Sequence, residues 1–446
     1  MGHVVDQSVE RTTVVVPWGL SLLLLIIFAV AGPFDLSEAG GRLGADQDTI
    51  VQGLESGSMT RQVSLLSLGL FATIALLDRK RGRLQVNGFL GCLMLFYVGL
   101  ALVSPAWAED PSFAIRRAFV LLALFLGALA TVKRLPPIRI AALAAAGCGV
   151  TLVLSVAVEL VSRTFRPFDE TWRFSGVLHP VVQGWNCGLL VIASLALAVS
   201  EPRGRRRFFL LSLGALVFLV LTRSRMPLIS TILAMSVLGT FKSLGMRGLT
   251  FKLVYVFLVC TSLFGLTSLV LGRNLGKSVE SLAAMGRGEE GSSSLDTFTG
   301  RLPLWTEELN YVRARPILGY GYNAFFSPRN IGSLSDAAGW VPTSPHSGYI
   351  GTLLGLGFVG TATLVLALIL ALKRSISKAR RGPDGAFVAA VTIWLCCNLF
   401  LESTIITDPN FPTFICLVVL ASLAFEGCSN TNLSWHLRME NKGATA

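Results

Sequence analysis

"PHSGYIGTLLGLGFVGTATLVLALILALKRSISKARR", Pro345 to Arg381, decides the fold. From Ser347 to Leu372 the stretch carries no charge. That exceeds the roughly 20 apolar residues needed to cross a hydrocarbon layer about 30 Å thick. Lys373, Arg374, Lys378, Arg380 and Arg381 follow at once. An apolar run ending in a basic cluster reads as a transmembrane helix whose basic end is cytoplasmic. His346 then stands at the opposite, outer end, beside glycines at 348, 351, 355, 357 and 360. Gly351 and Gly355, one turn apart, predict close approach of a neighbouring helix.

The same pattern repeats along the chain. Further apolar runs fall at about 14–32, 62–77, 86–104, 118–132, 138–161, 181–199, 208–222, 227–241, 251–272, 386–403 and 411–427. With 347–372 they predict an all-α polytopic membrane protein of about 12 transmembrane helices, with residues 1–446 forming a single integral membrane domain. Composition agrees, at 52% hydrophobic and 14% charged residues with mean hydropathy +0.65. The net charge of +12 comes largely from short clusters between runs, such as Arg79 to Arg83 and Arg203 to Arg207. This is the signature of cytoplasmic loops, and no basic stripe interleaved with aromatics suggests a nucleic-acid surface. The mixed-charge N-terminus predicts a first helix that is retained rather than cleaved, and both termini are expected in the cytoplasm. Seven of the eight cysteines lie inside apolar runs, where free Cys behaves as a small hydrophobe.

Four polar segments are then expected outside: Arg163 to Gly176, the turn Thr222 to Met226, the long stretch 273–346, and Glu402 to Asn410. The long stretch exceeds a simple connection and predicts a periplasmic cap loop. Within it, "TGRLPLWTEELNYVRARP" reads as an interfacial helix, N-capped by Thr299 and stopped by Pro316, with Leu302, Trp305, Leu309 and Val312 on one apolar face. "GRGEEGSSS", Gly286 to Ser294, reads as a linker.

Of the four histidines, His3 and His436 fall in the tails. His179 begins the sixth run and reads equally as packing or site. His346 either ends a tightly packed helix or serves as a general base, because imidazole takes a proton near neutral pH. "LTRSRMPL" places Arg223 and Arg225 between two apolar runs, where a charge needs a partner. Arg301 opens the interfacial helix. Forked guanidinium groups bind phosphate in two places at once, so Arg225 and Arg301 together suit a diphosphate. The acidic residues are scattered, Glu402 among them as a partner for His346 or an arginine, and no metal constellation or cofactor motif is apparent.

These residues resemble the O-antigen ligase and polymerase superfamily of bacterial envelope glycosyltransferases. The ligase histidine motif reads here as His346, Ser347, nine residues, Gly357, Phe358, Val359, Gly360. "SRMPL" resembles the family's Ser-Arg-Gly turn, with Met226 in the glycine position. "TGRLPLW" followed by "RPILGYG", and "RFSGVLHP", resemble the remaining motifs, covering residues 163–425 as the family core. The resemblance implies a GT-C-like, metal-independent, inverting transferase in the bacterial inner membrane with a periplasmic site. The donor would be an undecaprenyl-diphosphate-linked oligosaccharide or polysaccharide. The acceptor would be a glycolipid: lipid A core for an O-antigen ligase in lipopolysaccharide synthesis, or a second lipid-linked glycan for an O-antigen or exopolysaccharide polymerase. It assigns His346 as base and Arg225, Arg301 and Arg223 as diphosphate ligands. Arg173, Trp305, Tyr349 and Glu402 become further substrate contacts, and Tyr320, Tyr322 and Trp340 candidate sugar platforms. A lipid-linked glycan transporter or flippase would also need many spans and outward arginines, but would favour broken helices at mid-membrane.

Overall fold

Pro180, Pro137, Pro111 and Pro383 each occupy the first turn of a long apolar helix, where the missing N–H costs nothing and the fixed φ favours the helical start. The computed structural model describes residues 17–31, 59–169, 172–201, 203–240, 301–338, 341–380, 382–403 and 407–427. The run 251–272, Gly286 to Ser294, Thr299, Trp340, His3 and His436 lie outside the described residues.

The apolar runs that are described fold as helices. They are α1 (Trp18–Ala31), α2 (Met59–Leu77), α3 (Gly88–Val103), α4 (Pro111–Arg134), α5 (Pro137–Val161), α6 (Pro180–Ser200), α7 (Arg205–Leu221) and α8 (Arg225–Thr240). The cap contributes α9 (Arg301–Ala314) and α10 (Pro328–Ala338), and the chain continues through α11 (Gly348–Ala379), α12 (Pro383–Asn398) and α13 (Phe411–Ala424). Six of them, α2 to α6 and α11, are long and apolar enough to span a membrane, and α1, α12 and α13 are shorter apolar helices. The count of twelve spans is therefore not reached among the described residues. Leu66, Leu70, Phe71 and Ile74 of α2 and Phe89, Leu95 and Phe96 of α3 are exposed. Large apolar side chains turned outward in such numbers are what a lipid-facing surface requires. This is a multi-pass membrane protein.

α6 is the hub, buried along almost its whole length and packed by α5, α7, α8 and α12. Gly184 and Gly188 let α8 close in, because a Cβ at Gly184 would meet Pro227 at 3.0 Å and one at Gly188 would meet Thr231 at 2.5 Å. Two bonds then lock α12 onto α8: Trp394 Nε1 donates to Thr231 Oγ1 at 3.1 Å and Asn398 Nδ2 to Ser230 Oγ at 2.8 Å.

The basic end of the bundle has a second use for its cations. Lys133 donates to the carbonyls of Leu76, in the last turn of α2, and of Asp78 just beyond it, and Arg374 to those of Asn87, before α3, and Leu423, in the last turn of α13. The Leu76 and Leu423 carbonyls are of the kind that a helix C-terminus leaves unpaired. A short antiparallel pair, β1 (Leu84–Val86) with β2 (Phe425–Gly427), closes the same end. The alternation there was too brief to stand out in the sequence.

Two sequence expectations change. Leu304, Glu308 and Val312 form the buried face of α9, whereas Leu302 and Leu309 are 40% and 39% exposed. The helix is anchored by the opposite stripe, leaving Leu302 and Leu309 outward. Gly355 accommodates a loop and not a helix: its nearest neighbours are Gly321, Tyr322 and Asn323. α11 breaks at Gly357, with φ 62° and ψ −160°. The groups freed by the break are taken up by "PILGYG": Phe358 N donates to Pro316 O at 2.8 Å, and Tyr320 and Gly321 donate to the Leu354 and Gly355 carbonyls at 2.8 and 2.9 Å. Irregular backbone is stable at such depth only when protein satisfies it, and here it does.

Candidate functional site

Arg173 is the first fixed point of the site end. Its Nε donates to Thr222 O at 3.2 Å and its Nη2 to Ser224 Oγ at 3.1 Å. Ser224 in turn donates to Pro180 O at 3.0 Å, which ties the Thr222–Ser224 turn to the start of α6. Behind it, Glu159 Oε1 accepts from Ser175 N and Gly176 N at 2.9 and 2.8 Å. Gly176, at φ 63°, presses so closely on Ser155 that a Cβ would overlap it. The glycine of "RFSG" thus serves the turn that aims Arg173.

Arg225 is the first residue of α8, not part of the turn before it. Its guanidinium Nε and Nη2 are buried and have no hydrogen-bond partner. A cation held in that state costs free energy that the fold does not recover by itself. Arg223, at φ 50°, sends Nη2 to the Asp169 carbonyl at 2.8 Å. That hydrogen bond ties this arginine to the loop after α5.

Arg301, at the start of α9, donates through Nη1 to Leu401 O at 2.7 Å and through Nη2 to Glu402 Oε1 at 3.2 Å. Trp305, one turn on, donates Nε1 to Pro345 O at 2.9 Å. The cap helix therefore grips the residue just before His346. Gly348 N donates to Leu399 O at 2.8 Å, and a Cβ on Gly348 would overlap Leu399. His346 itself lies at φ 50°, a left-handed conformation unusual for a side chain that is neither Gly nor Asn. Strain at that position is held by Trp305 on one side and α12 on the other.

The imidazole of His346 titrates far below its ordinary value, at about 4, because burial disfavours the cation, Arg301 repels it, and His179 adds a smaller repulsion. His179 behaves alike, at about 4, through the protein packed around it and then Arg173. Its ring edge is nonetheless exposed, so the mass of nearby protein rather than complete enclosure is the cause. Its Nδ1 accepts from Val181 N at 3.3 Å as the cap of α6, which requires the neutral form. His346, Arg301, Glu402, His179 and Arg173 therefore belong to one electrostatic neighbourhood, and Ser224, the residue before Arg225, touches Arg173.

The structure separates the remaining candidates. Tyr349 turns toward α12, stacking on Phe400 at 5.1 Å and donating to Cys396 O at 3.4 Å. Tyr320 is buried against Tyr311 and Phe325 with its hydroxyl spent on Tyr311 O at 3.0 Å, so it is not a sugar platform. Glu308, which sequence reasoning passed over, is fully buried with both carboxylate oxygens unpartnered. Burial raises it to about 9. Its place on the buried stripe between Leu304 and Val312 was the available signal.

Comparison with known proteins adds the family. Residues 208–365, which include Arg225, Arg301, Trp305 and His346, match the family described as O-Antigen ligase. The chain is also similar to the exopolysaccharide production protein ExoQ of Rhizobium meliloti (strain 1021), at 24% identity over 380 residues, covering 79% of this chain and 81% of the relative. Within a multi-pass membrane protein, residues 208–365 accordingly form a domain of the O-antigen ligase family.

Proposed function

We propose that the protein is an inverting, metal-independent glycosyltransferase that moves a glycan from a lipid diphosphate to an acceptor hydroxyl at the periplasmic face of the bacterial inner membrane. The observation that carries this reading is Arg225, whose guanidinium Nε and Nη2 are buried without a hydrogen-bond partner. A fork in that condition is suited to a phosphate oxygen pair, and Arg301, pinned by Glu402 and Leu401, supplies the second positive charge.

His346 takes the proton from the acceptor hydroxyl as its oxygen attacks the anomeric carbon. The bond from that carbon to the diphosphate oxygen breaks on the opposite face, and the lipid diphosphate leaves with the electron pair. Such a leaving group needs positive charge rather than a proton, which is what Arg225 and Arg301 provide. Burial first, and the Arg301 charge second, make His346 a weak base before donor binds. A bound diphosphate offsets that charge and raises the basicity of the imidazole only when donor is present.

For the acceptor, similarity to a protein named for exopolysaccharide production favours a second lipid-linked glycan over lipid A core. Beyond its spans and arginines, the break in α11 is a further feature that a transporter would share. Its freed backbone groups are filled by residues 316–321, which leaves them no cargo to bind. The test is donor binding: Arg225→Gln should weaken retention of a polyprenyl-diphosphate oligosaccharide about tenfold or more, as expected for loss of a charge-assisted fork. Unchanged retention would remove the diphosphate role.

A further inference from the structure

His179 is held in place by the residue that follows it. A residue before proline is confined to extended backbone, and Pro180 keeps His179 at φ −58° and ψ 141°, as an N-cap needs. From there Nδ1 accepts from Val181 N at 3.3 Å. A ring nitrogen that accepts a hydrogen bond carries no proton, so in the neutral imidazole the proton sits on Nε2. The cap thereby fixes the tautomer and makes the opposite edge of the ring an obligate donor. The side chain is exposed, and among the described residues Nε2 makes no hydrogen bond.

The surroundings of this histidine are cationic. Pro180 O accepts from Ser224 Oγ at 3.0 Å, so the residue after His179 is bonded to the residue before Arg225. Arg173 closes the group through its own bonds to Ser224 Oγ and Thr222 O. A Cβ on Gly184, one turn into α6, would meet Pro227 at 3.0 Å and Ser224 at 3.1 Å, which sets the start of α6 directly against the start of α8. Positive potential converges there from the Arg173 guanidinium, from Arg225 with Nε and Nη2 buried and unpartnered, and from the N-terminus of a helix of 21 residues.

That sign selects an anion, and a neutral donor adds what another cation could not. His346 shares the neighbourhood, since Arg301 and, less strongly, His179 act on its ring. A guanidinium in place of His179 would also hold a phosphate, but it would weaken the base at His346 further. A neutral N–H gives a charge-assisted bond to a phosphate oxygen without that effect.

We propose that His179, fixed in one tautomer by the cap of α6, donates Nε2–H to a phosphate oxygen of the lipid-diphosphate donor, beside Arg225, and keeps that bond as the diphosphate leaves. The inference rests on the transferase reading and deepens it by adding an uncharged contact to the diphosphate site.

Variants that separate capping from donation test this. His179→Ser and His179→Asn both retain a side-chain oxygen able to cap α6, and neither reaches the position of Nε2. In nanodiscs, both full-length variants should keep the thermal midpoint of the unaltered protein yet retain tetraprenyl diphosphate about tenfold less well, the scale of one hydrogen bond to a charged group. His179→Ala should lose midpoint and retention together. His179→Arg should restore retention while glycan transfer falls about tenfold or more, because the added cation opposes the imidazolium of His346. Unchanged retention in His179→Ser and His179→Asn, with retention lost in Arg225→Gln, would show a capping residue only and overturn this contact alone. Unchanged retention in all three would overturn the diphosphate site itself and this contact with it. Failure of the base reading would appear elsewhere, as glycan transfer surviving in His346→Ala.

Discussion

Arg301 and Glu402 face each other at 3.2 Å, Nη2 to Oε1, with both side chains largely buried. The pair is the link between the cap helix and the segment after α12, and the Arg301 charge adds to burial, the larger cause, in depressing the His346 imidazole. Glu402 thus fixes where the Arg301 fork, proposed above as a phosphate ligand, points, and partly neutralises it. Removing the carboxylate by Glu402→Ala should lower kcat/KM about tenfold, the scale of a misplaced binding group. Glu402→Gln, which keeps an acceptor oxygen, should recover most of that loss in the same assay. Equal damage from both variants would mean that the charge rather than the placement matters.

The pH dependence should separate the free and the loaded site. In the free protein the His346 imidazole is neutral above about 4, held there by burial first and Arg301 second. The acid limb of kcat/KM, which reports free enzyme, should lie near that value. The limb of kcat should lie higher, because bound diphosphate offsets Arg301 and favours the imidazolium. Coincident limbs would deny a shared site. The same depression makes the fold lose stability as pH falls from the ordinary histidine value toward 4, since the unfolded chain then binds the extra proton.

Arg225 should show the opposite relation between stability and activity. Two buried guanidinium nitrogens without hydrogen-bond partners burden the fold, so Arg225→Met should raise the thermal midpoint of the purified protein while abolishing transfer. Arg225→Lys should not restore activity, because an ammonium lacks the planar fork. A lowered midpoint for Arg225→Met would indicate that the residue is structural.

Glu308 predicts a stability slope of its own. Its folded pKa, raised to about 9 by burial, exceeds the unfolded value, so the folded state holds a proton that the unfolded state gives up. Its contribution is fully present below the unfolded carboxylate range and is lost progressively as pH rises toward 9. Glu308→Gln keeps shape and neutrality without the titration. It should therefore stabilise more at pH 8.5 than at pH 5, as read by thermal unfolding in detergent.

Gly357 is required by geometry. At φ 62°, and with an added Cβ overlapping the Ile317 carbonyl, Gly357→Ala should cost at least about 2 kcal/mol of stability. Gly99→Ala, where a Cβ meets nothing within 4 Å, is the control and should be nearly silent.

Apolar length and basic clusters made the helices legible in the sequence, because both follow from transfer of single residues into lipid. His346, Arg225 and Arg301 stood out as candidates, the first two because each places a polar or charged group beside the end of an apolar run and the third because it opens the cap helix. The partners were not. Glu159 and Ser224 act through backbone turns, and Trp305 through a carbonyl 40 residues away. Nothing in local pattern encodes such pairings. The face of α9 was misread because Leu302 and Leu309 looked like an anchor, whereas α10 and α11 bury the stripe that contains Glu308. Gly355 was recognisable as a close-approach position and Gly357 as part of the histidine motif, but the element that approaches both, residues 317–323, comes from a different part of the chain.

The most direct test of the central claim is transfer by the purified protein in nanodiscs, supplied with a polyprenyl-diphosphate-linked oligosaccharide and EDTA, with and without lipid A core. The account predicts larger lipid-linked products formed without lipid A core, and at least about a hundredfold less product from His346→Ala, the scale of losing a general base. Undiminished product from His346→Ala, or movement of the intact lipid-linked glycan across the bilayer with no new glycosidic bond, would contradict it.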